Sequence, residues 1–385
     1  GQEGRAGASP GRRKRRLGHP CSKVTSMERT FRIAVLPGDG IGPEVIREAI
    51  KVLRVVETHL QDAKFDLTEY PCGAACFLAT GEALPAETFE ACQRADAILL
   101  GAMGMPSVRL PDGREITPQL DLREKLDLFC GVRPIYLYHA CDTPLKGYGP
   151  GEIDFVIVRE NTEGLFSTRT ANNSNGEVVS DTLRITRKGA CRLFRAAFEL
   201  AQTRRRHLTL VDKANVLPSM AFFRRLFLEV AHEYPDVTID CCYVDAMALY
   251  LLKSPQRFDV IVTENMFGDI LSDLGAGLVG GMGMAPSGDI GERAAVFQPA
   301  HGSAPDIAGR GIANPVAAIL STAMMLEWLK HPSTVRGAKW IREAVRRTLQ
   351  QPELRTPDLG GRLRTSEMGD LIIKEIEQLW CVSST

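Results

Sequence analysis

The sequence predicts an α/β protein built on a mixed, mainly parallel sheet, and two observations support this. Short apolar runs rich in Val, Ile and Leu alternate along the chain with longer segments of helical periodicity. Such alternation is typical of strand–helix–strand units, in which the strands run parallel. The first apolar run also leads directly through a glycine-rich turn into a helix, as parallel strands do in these units.

The predicted elements follow in chain order from residue 31. Strands are expected at 31–36, 96–100, 153–159, 208–211, 237–244 and 259–262, and a helix at 44–60 begins next to Pro43. Further helices are expected at 188–204, 218–233 and 245–253, and the C-terminal third is predicted to be helical, near 314–330, 337–350 and 366–380. The polar segment 172–187 lacks a helical period, which predicts a protruding β-arm or loop.

The overall composition is that of a globular enzyme and excludes several partners. Apolar residues make up 44% and charged residues 24% of 385, and the formal net charge is zero. A neutral chain has no global attraction to nucleic acid or to a membrane surface, so neither partner is predicted. No apolar run approaches the length of a membrane-spanning helix, and a cytoplasmic location is expected. The ten cysteines form no C-x-x-C pair, and Cys241-Cys242 are predicted to lie in a buried strand.

Residues 1–26 differ from the rest of the chain. They hold seven Lys or Arg against one Glu, are rich in Gly and Pro, and are predicted to be a disordered basic tail. The tail could be a nuclear address, or a transit peptide that lacks the usual apolar face. It could also derive from a vector or an upstream start site, with Met27 as the natural start. We favour the last interpretation, because folded sequence begins directly after Met27.

The motif Gly38-x-Gly40-x-Gly42-Pro43 follows the first strand and resembles a dinucleotide-binding turn. The Rossmann fingerprint requires its third glycine at the position of Pro43, and no acid ends a second strand at the right distance. We therefore expect a fold that is not of the Rossmann type.

A pair of acids follows the strand predicted at 259–262. Asp269 and Asp273 are four residues apart, so on a helix both carboxylates project from one face. Two oxygen ligands at the end of a strand, with positions left open for substrate and water, suit Mg²⁺ or Mn²⁺. A solvated helix face has the same spacing, and the residues alone leave both interpretations open.

Five segments considered together resemble one enzyme family. They are Gly38–Glu44, Arg159–Gly164, Asp212–Leu217, the helix with Asp269 and Asp273, and His301–Gly309. Their order and spacing over about residues 31–380 resemble the β-decarboxylating dehydrogenases that act on isopropylmalate, isocitrate, homoisocitrate, and tartrate or D-malate.

The resemblance implies a two-domain fold like that of isopropylmalate dehydrogenase. The first domain would be discontinuous, comprising residues 27–128 plus 280–385 on the cofactor side. The second domain, residues 129–279, would carry the substrate, metal and dimerisation surfaces. Relatives are usually homodimers with shared active sites, so the arm near 172–187 is expected to complete the interface.

The resemblance also assigns roles to charged residues. Arg123, Arg133 and Arg159 match the arginines that bind the carboxylates of a small 2-hydroxy acid substrate, a task suited to the planar guanidinium. Asp269 and Asp273, with Asp245 of the partner subunit, match the metal ligands. Lys213 of the partner subunit, together with this Asp245, would take the proton from the substrate hydroxyl. The metal would polarise the 2-keto group and stabilise the enolate left after decarboxylation.

The cofactor implied by the resemblance is NAD. The residues that match its adenosine-binding loop and adenine contact are His301, Gly302, Ser303, Ala304, Asp306, Ile307 and Asn314. Asp306 can accept hydrogen bonds from the free ribose hydroxyls of NAD, whereas it would repel the 2′-phosphate of NADP.

The identity of the substrate remains open at this stage. Thr117 and Gln119 match the positions that meet the substrate's variable group, and these polar side chains disfavour a purely apolar substituent. The candidates are 3-isopropylmalate, tartrate or D-malate, and isocitrate.

One departure from the family pattern raises alternative functions. Phe166 stands where active relatives carry the tyrosine that helps to protonate C3 after decarboxylation. A non-catalytic regulatory subunit is therefore one alternative. A nucleic-acid-associated protein acting through the arginine-rich tail is another.

Overall fold

The computed structural model describes residues 28–170 and 176–383, and the predicted tail, residues 1–26, lies outside them. The described residues form a ten-stranded sheet flanked by helices. Its strands are β1 (Arg29–Gly38), β2 (Ala63–Glu69), β3 (Ala97–Ala102), β4 (Cys130–Tyr136), β5 (Asp154–Glu160), β6 (His207–Asp212), β7 (Thr238–Tyr243), β8 (Val260–Thr263), β9 (Pro286–Ile290) and β10 (Ala295–Pro299). Their order across the sheet is β2-β1-β3-β10-β9-β4-β5-β8-β6-β7.

Eleven α-helices accompany the sheet in the described residues. They are α1 (Gly42–His59), α2 (Ala74–Thr80), α3 (Ala86–Arg94), α4 (Pro118–Lys125), α5 (Arg187–Gln202), α6 (Pro218–Ala231), α7 (Val244–Lys253), α8 (Asn265–Gly277), α9 (Val316–Trp328), α10 (Pro332–Leu349) and α11 (Thr365–Ser383). None of them is both long and apolar enough to cross a membrane.

The mixed, mainly parallel α/β sheet is confirmed. Neighbouring strands run parallel at both ends of the sheet, whereas the central pairs β10–β9, β9–β4 and β4–β5 are antiparallel. Four strands, β2, β4, β9 and β10, were not predicted, and β9 and β10 lie in the third of the chain that was expected to be helical. Strand β9 contains Pro286, Gly288 and Asp289, which are poor strand formers, so its sequence gives little signal.

The two halves of the sheet come from different parts of the chain. The strands from β2 to β9 in the sheet order belong to residues 28–128 and 280–383, and those from β4 to β7 belong to residues 129–279. The boundaries proposed for the two domains follow the same ranges, and the division into domains stays a prediction.

One local expectation differs from the structure, and another stays a prediction. Cys241 and Cys242 lie on β7, which is the edge strand, so Cys241 is exposed and Cys242 half-buried rather than both buried. In the segment expected to form a protruding β-arm or loop, the described residues 176–186 contain two isolated bridge residues, Val179 and Arg184, of which Arg184 pairs with Gly164, and no longer strand. Residues 171–175 lie outside the described part.

The glycine-rich turn after β1 serves packing. Gly40 has φ +57°, and a Cβ on it would lie 2.0 Å from the carbonyl oxygen of Ser303, which accepts a hydrogen bond from the Ile41 N–H at 2.8 Å. The buried Asp39 carboxylate accepts hydrogen bonds from backbone N–H groups, including Ala74 at 2.7 Å and Gly104 at 2.8 Å. The turn therefore holds the loop at residues 300–306 against the first strand, consistent with a fold other than Rossmann.

Candidate active site

A cavity of about 250 Å³ lies near the middle of the sheet. Its lining comes from β4, β5, β9, β10, α4, α8 and the short 3-10 helix at residues 166–168. It brings together seven residues that the sequence analysis singled out: Gln119, Arg123, Arg133, Arg159, Phe166, Asp269 and Asp273.

Two of the three arginines are held by a carboxylate that the sequence analysis did not identify. Arg123 lies in the last turn of α4 and Arg133 on β4, and both are almost fully buried. Arg123 Nε donates to Asp289 Oδ2 at 2.9 Å, and Arg133 Nη2 donates to Asp289 Oδ1 at 3.1 Å. Asp289, on the neighbouring strand β9, therefore compensates part of the positive charge at the base of the cavity.

The third arginine is fixed by different partners. Arg159, near the end of β5, donates from Nε and Nη2 to Asn265 Oδ1 at 3.1 and 2.8 Å, and its Nη1 donates to Asp269. Its guanidinium carbon lies 5.6 Å from the centre of the Phe166 ring, within cation–π range. Burial lowers the pKa of Arg159 most, and repulsion from Arg123 lowers it further, to about 10. The side chain therefore remains a cation at neutral pH.

Asp269 and Asp273 lie on α8 with both side chains at the cavity. Helix α8 begins directly after β8, where the Glu264 carboxylate caps it by accepting from the N–H groups of Phe267 at 2.6 Å and Met266 at 3.1 Å. Burial raises the pKa of Asp273, and the neighbouring Asp269 raises it further. A carboxylate pair whose members repel each other, at a cavity lined by three arginines, fits a divalent cation better than a solvated helix face.

Asp245 is not beside these two acids. Among the described residues, no group of three or more His, Cys, Asp or Glu is placed to hold a metal ion. Asp245 lies in the first turn of α7, and its Oδ1 accepts from Lys213 Nζ at 2.6 Å. The side chains of Lys213 and Asp245 are 28% and 68% exposed, and neither lines the cavity. The hydrogen bond from Lys213 lowers the pKa of Asp245.

The loop expected to bind the cofactor lies between β10 and α9. Asp306 is exposed, whereas Ser303 is buried and Ile307 packs against the apolar core. Burial lowers the pKa of His301, and its Nε2 is buried without a hydrogen-bond partner in the described part of the chain. Asn314 is buried, and its Nδ2 donates to Asp358 Oδ2 at 3.1 Å.

The remaining loop residues are placed as follows. Ala304 adopts φ +39°, in the left-handed region, and Gly302 is exposed with open space around its Cα. A buried, unpaired imidazole nitrogen and an exposed carboxylate on one loop provide groups that a nucleotide could engage.

The two residues expected near the variable group of the substrate are placed differently. Gln119 lines the cavity, and its buried Oε1 has no hydrogen-bond partner among the described residues. Thr117, which precedes α4, is absent from the lining, and the apolar Leu120 contributes instead. At these positions the lining therefore combines one unsatisfied polar acceptor, Gln119 Oε1, with one apolar side chain, Leu120.

Sequence reasoning missed Asp289, Asn265 and Gln298 as members of the site. Asp289 could have been suspected from the sequence, because it stands in an otherwise uncharged stretch that ends in a buried strand. A carboxylate in such a position requires a cationic partner. Asn265 and Gln298 carried no comparable signal, since amides occur widely in turns and strands.

Comparisons with known proteins agree with this site. A family model described as isocitrate/isopropylmalate dehydrogenase matches residues 32–372. The 3-isopropylmalate dehydrogenase of Moorella thermoacetica is 45% identical over 359 residues, which cover 90% of this chain and 99% of that protein. The isocitrate dehydrogenase structure from Methylococcus capsulatus has a TM-score of 0.80 at 36% identity, covering 90% of this chain and 100% of the other. For a β-decarboxylating dehydrogenase from Thermococcus kodakarensis, the TM-score is 0.77 at 41% identity, covering 92% and 98%.

Proposed function

Since this chain belongs to the isocitrate/isopropylmalate dehydrogenase family of enzymes, which oxidatively decarboxylate small hydroxy acids, we propose that its substrate is a (2R)-malate derivative and its oxidant NAD. The products would be a 2-oxo acid, CO₂ and NADH, and the reaction would require Mg²⁺ or Mn²⁺. The observation that carries this proposal is the convergence of three buried arginines and two aspartates on one cavity.

The arginines account for substrate binding. Arg123 and Arg133 use one nitrogen each to hold Asp289, and the Arg133 Nη1 atom is buried without a partner among the described residues. A buried, unsatisfied donor is costly unless a ligand accepts from it. A substrate carboxylate would satisfy it through a charge-assisted hydrogen bond.

Asp269 and Asp273 are the residues of this chain that would hold the divalent cation. Such a cation supplies electrostatic stabilisation of the enolate that is left when CO₂ departs. The carboxylates also orient the substrate indirectly, because Asp269 accepts a hydrogen bond from Arg159 and so couples the anion site to the metal site.

Proton transfer from the substrate hydroxyl is proposed for the Lys213–Asp245 pair of the partner subunit. Within one chain this pair lies outside the cavity lining, at the sheet edge formed by β6 and β7. Leu249 and Leu252 follow Asp245 by four and seven residues on α7, so all three lie on one helix face, and both leucines are 48% exposed. Apolar side chains on the face that carries a predicted catalytic acid support a homodimer with shared sites.

NAD is proposed as the cofactor because of Asp306. Its exposed carboxylate would repel the 2′-phosphate of NADP and accept from the ribose hydroxyls of NAD. Asp306→Ala should lower the kcat/KM for NAD and bring it closer to the kcat/KM for NADP.

The decisive experiment is a screen of D-malate, tartrate, 3-isopropylmalate and isocitrate with NAD or NADP. Each assay contains Mn²⁺, and a duplicate contains EDTA. We expect metal-dependent NADH formation with at least one substrate. Turnover that persisted fully in EDTA, or that used NADP better than NAD, would contradict the corresponding part of the proposal.

Phe166 is the observation that favours a second candidate, a non-catalytic subunit of such a dehydrogenase. Its ring lines the cavity over Arg159 but cannot donate a proton to C3. If protonation limits the catalytic cycle, Phe166→Tyr should raise steady-state turnover and leave the first-turnover NADH burst nearly unchanged, since a placed acid contributes about 10²–10⁴-fold. Absence of any burst in the wild-type protein would favour the non-catalytic subunit.

A further inference from the structure

The most heavily hydrogen-bonded acid at the site is Asp289. Its side chain is 1% exposed and accepts from Arg123 Nε at 2.9 Å and from Arg133 Nη2 at 3.1 Å. It also accepts from Asn161 Nδ2 at 2.9 Å and Gln298 Nε2 at 3.0 Å. Burial by itself would raise the pKa of Asp289, but Arg123 and Arg133 lower it far more, so the carboxylate is ionised.

Asp289 acts on the cavity from behind its lining. Arg123, Arg133 and Gln298 line the cavity, whereas Asp289 does not. The carboxylate therefore leaves room for a ligand while it fixes the orientation of two guanidinium groups. It also removes one unit of positive charge from the surface that a substrate meets.

The ionised groups around the cavity balance. Three cations, Arg123, Arg133 and Arg159, face three carboxylates, those of Asp269, Asp273 and Asp289. The Lys213–Asp245 pair that a partner would add is also neutral overall. With a divalent cation bound, and before NAD adds the positive charge of its nicotinamide ring, the site would therefore carry two positive charges. A buried site disfavours ligands that leave a charge uncompensated.

We infer that Asp289 is a specificity-determining residue, which sets this cavity for dicarboxylate malate derivatives and against tricarboxylates. This inference rests on the proposed function. A malate derivative with two carboxylates neutralises the metal-loaded site, whereas isocitrate, with three, leaves one negative charge uncompensated. Replacing Asp289 by a neutral isostere removes this excess, so the tricarboxylate becomes the matched ligand.

The test compares Asp289→Asn with wild type on D-malate, 3-isopropylmalate and isocitrate, with NAD and Mn²⁺. The readouts are kcat/KM and the Kd from calorimetry for each anion. The kcat/KM for isocitrate divided by the kcat/KM for a dicarboxylate should rise on the order of tenfold in Asp289→Asn, because one buried charge near the ligand has changed. The ratio of the two binding affinities should rise in the same direction. A general loss of structure would lower all values together and leave the ratio unchanged.

Asp259→Asn is the matched control. Asp259 is also 1% exposed, accepts from Arg204 Nε at 2.7 Å and the Arg205 N–H at 2.8 Å, and does not line the cavity. Asp259→Asn makes the same chemical change at a buried ion pair elsewhere in the sheet. The ratio of kcat/KM for isocitrate to kcat/KM for a dicarboxylate should therefore stay at its wild-type value. Asp289→Glu, which keeps the charge, should retain the preference for dicarboxylates.

If Asp289→Asn does not fold, the inference can still be tested on the wild-type protein, by comparing isocitrate with the dicarboxylates. A wild-type enzyme that was active but, with Mn²⁺ and no NAD, bound isocitrate at least as tightly as every dicarboxylate would overturn the inference while the proposed function stood. No turnover at all, with Mn²⁺-dependent binding that still favoured dicarboxylates, would overturn the proposed function and support the inference. Binding of neither class of anion would overturn both.

Discussion

The arginine cavity and the Lys213–Asp245 edge are built in opposite ways. The three arginine side chains of the cavity are at most 8% exposed, and each has an acceptor within the same chain. At the edge, Asp245 is 68% exposed, and among the described residues only Lys213 lies within salt-bridge distance of it. Under the proposed function, one chain would thus supply all three substrate arginines, whereas Asp245 of its proton-transfer pair stays largely exposed.

The surroundings of the edge differ in the same direction. Large apolar side chains are exposed on both sides of the pair: Val216 at 63%, Leu217 at 36%, and Leu249 and Leu252 at 48% each. Apolar side chains clustered around a polar pair favour contact with another protein surface. Under the proposed function, the single chain would bind the substrate carboxylates, whereas acid–base chemistry would require the surface of a second subunit.

The largest effect is expected inside the cavity. Asp269→Asn should lower kcat by at least about 100-fold, because stabilisation of the enolate depends on the ion that this carboxylate would hold. The oligomeric state should not change, since Asp269 lies at the cavity rather than on the α7 face. Steady-state NADH formation together with sedimentation would show both results. A variant with near wild-type kcat would contradict the assignment of Asp269.

The sharing of active sites between subunits can be tested by placing one inactivating substitution in each of two chains. Lys213→Ala and Arg133→Ala chains should each be inactive, and their mixed dimer should regain up to about half of the wild-type turnover, because one site keeps both wild-type residues.

The matched control for this experiment combines Lys213→Ala with Asp245→Ala. Both residues belong to the edge contributed by one subunit, so every site of that mixed dimer is defective and no recovery is expected. Equal recovery in the two mixtures, or none in a verified Lys213→Ala/Arg133→Ala heterodimer, would show that the sites are not shared as proposed.

A smaller effect is expected when the apolar face of α7 is changed. Leu249→Asp should shift the dimer towards monomer and make specific activity depend on protein concentration, because it places a charge in the proposed interface. Leu78→Asp is the control, since Leu78 is 65% exposed on α2, away from this face. Sedimentation at several concentrations would measure the shift. An unchanged oligomer in Leu249→Asp would exclude this face as the interface.

The smallest expected effect concerns the pKa of one carboxylate in each region. Pairing with Lys213 lowers the pKa of Asp245 at the exposed edge, whereas burial raises the pKa of Glu160, which follows the cavity residue Arg159 on β5, to about 7. Folding therefore favours protonated Glu160, and its contribution to stability is complete below pH 4.5 and lost as the pH rises through 7. Glu160→Gln should flatten the decrease in unfolding free energy between pH 4.5 and 7.5, measured by urea denaturation. Identical slopes in both proteins would contradict this.

Much of the fold could be predicted from the sequence where local signals are strong. Strands β1, β5, β6 and β8 are apolar, and helices α1, α5 and α6 have clear periodicity, so they were predicted within a few residues. The short strands β9 and β10 were missed because hydrogen bonds to their neighbours, rather than local preference, make them strands. The edge position of β7, which exposes Cys241, likewise depends on the order of strands across the sheet.

The family, the α/β class and the residue types around the cavity could be predicted from the chain alone, because motif order and periodicity are properties of one chain. Which charges meet depends on the fold. Asp289 contacts Arg123 and Arg133 across 166 and 156 residues, a pairing created by strand order and invisible to any local pattern. The tertiary structure also decided that Lys213 and Asp245 lie outside the cavity of their own chain, because β6 and β7 form the edge of the sheet.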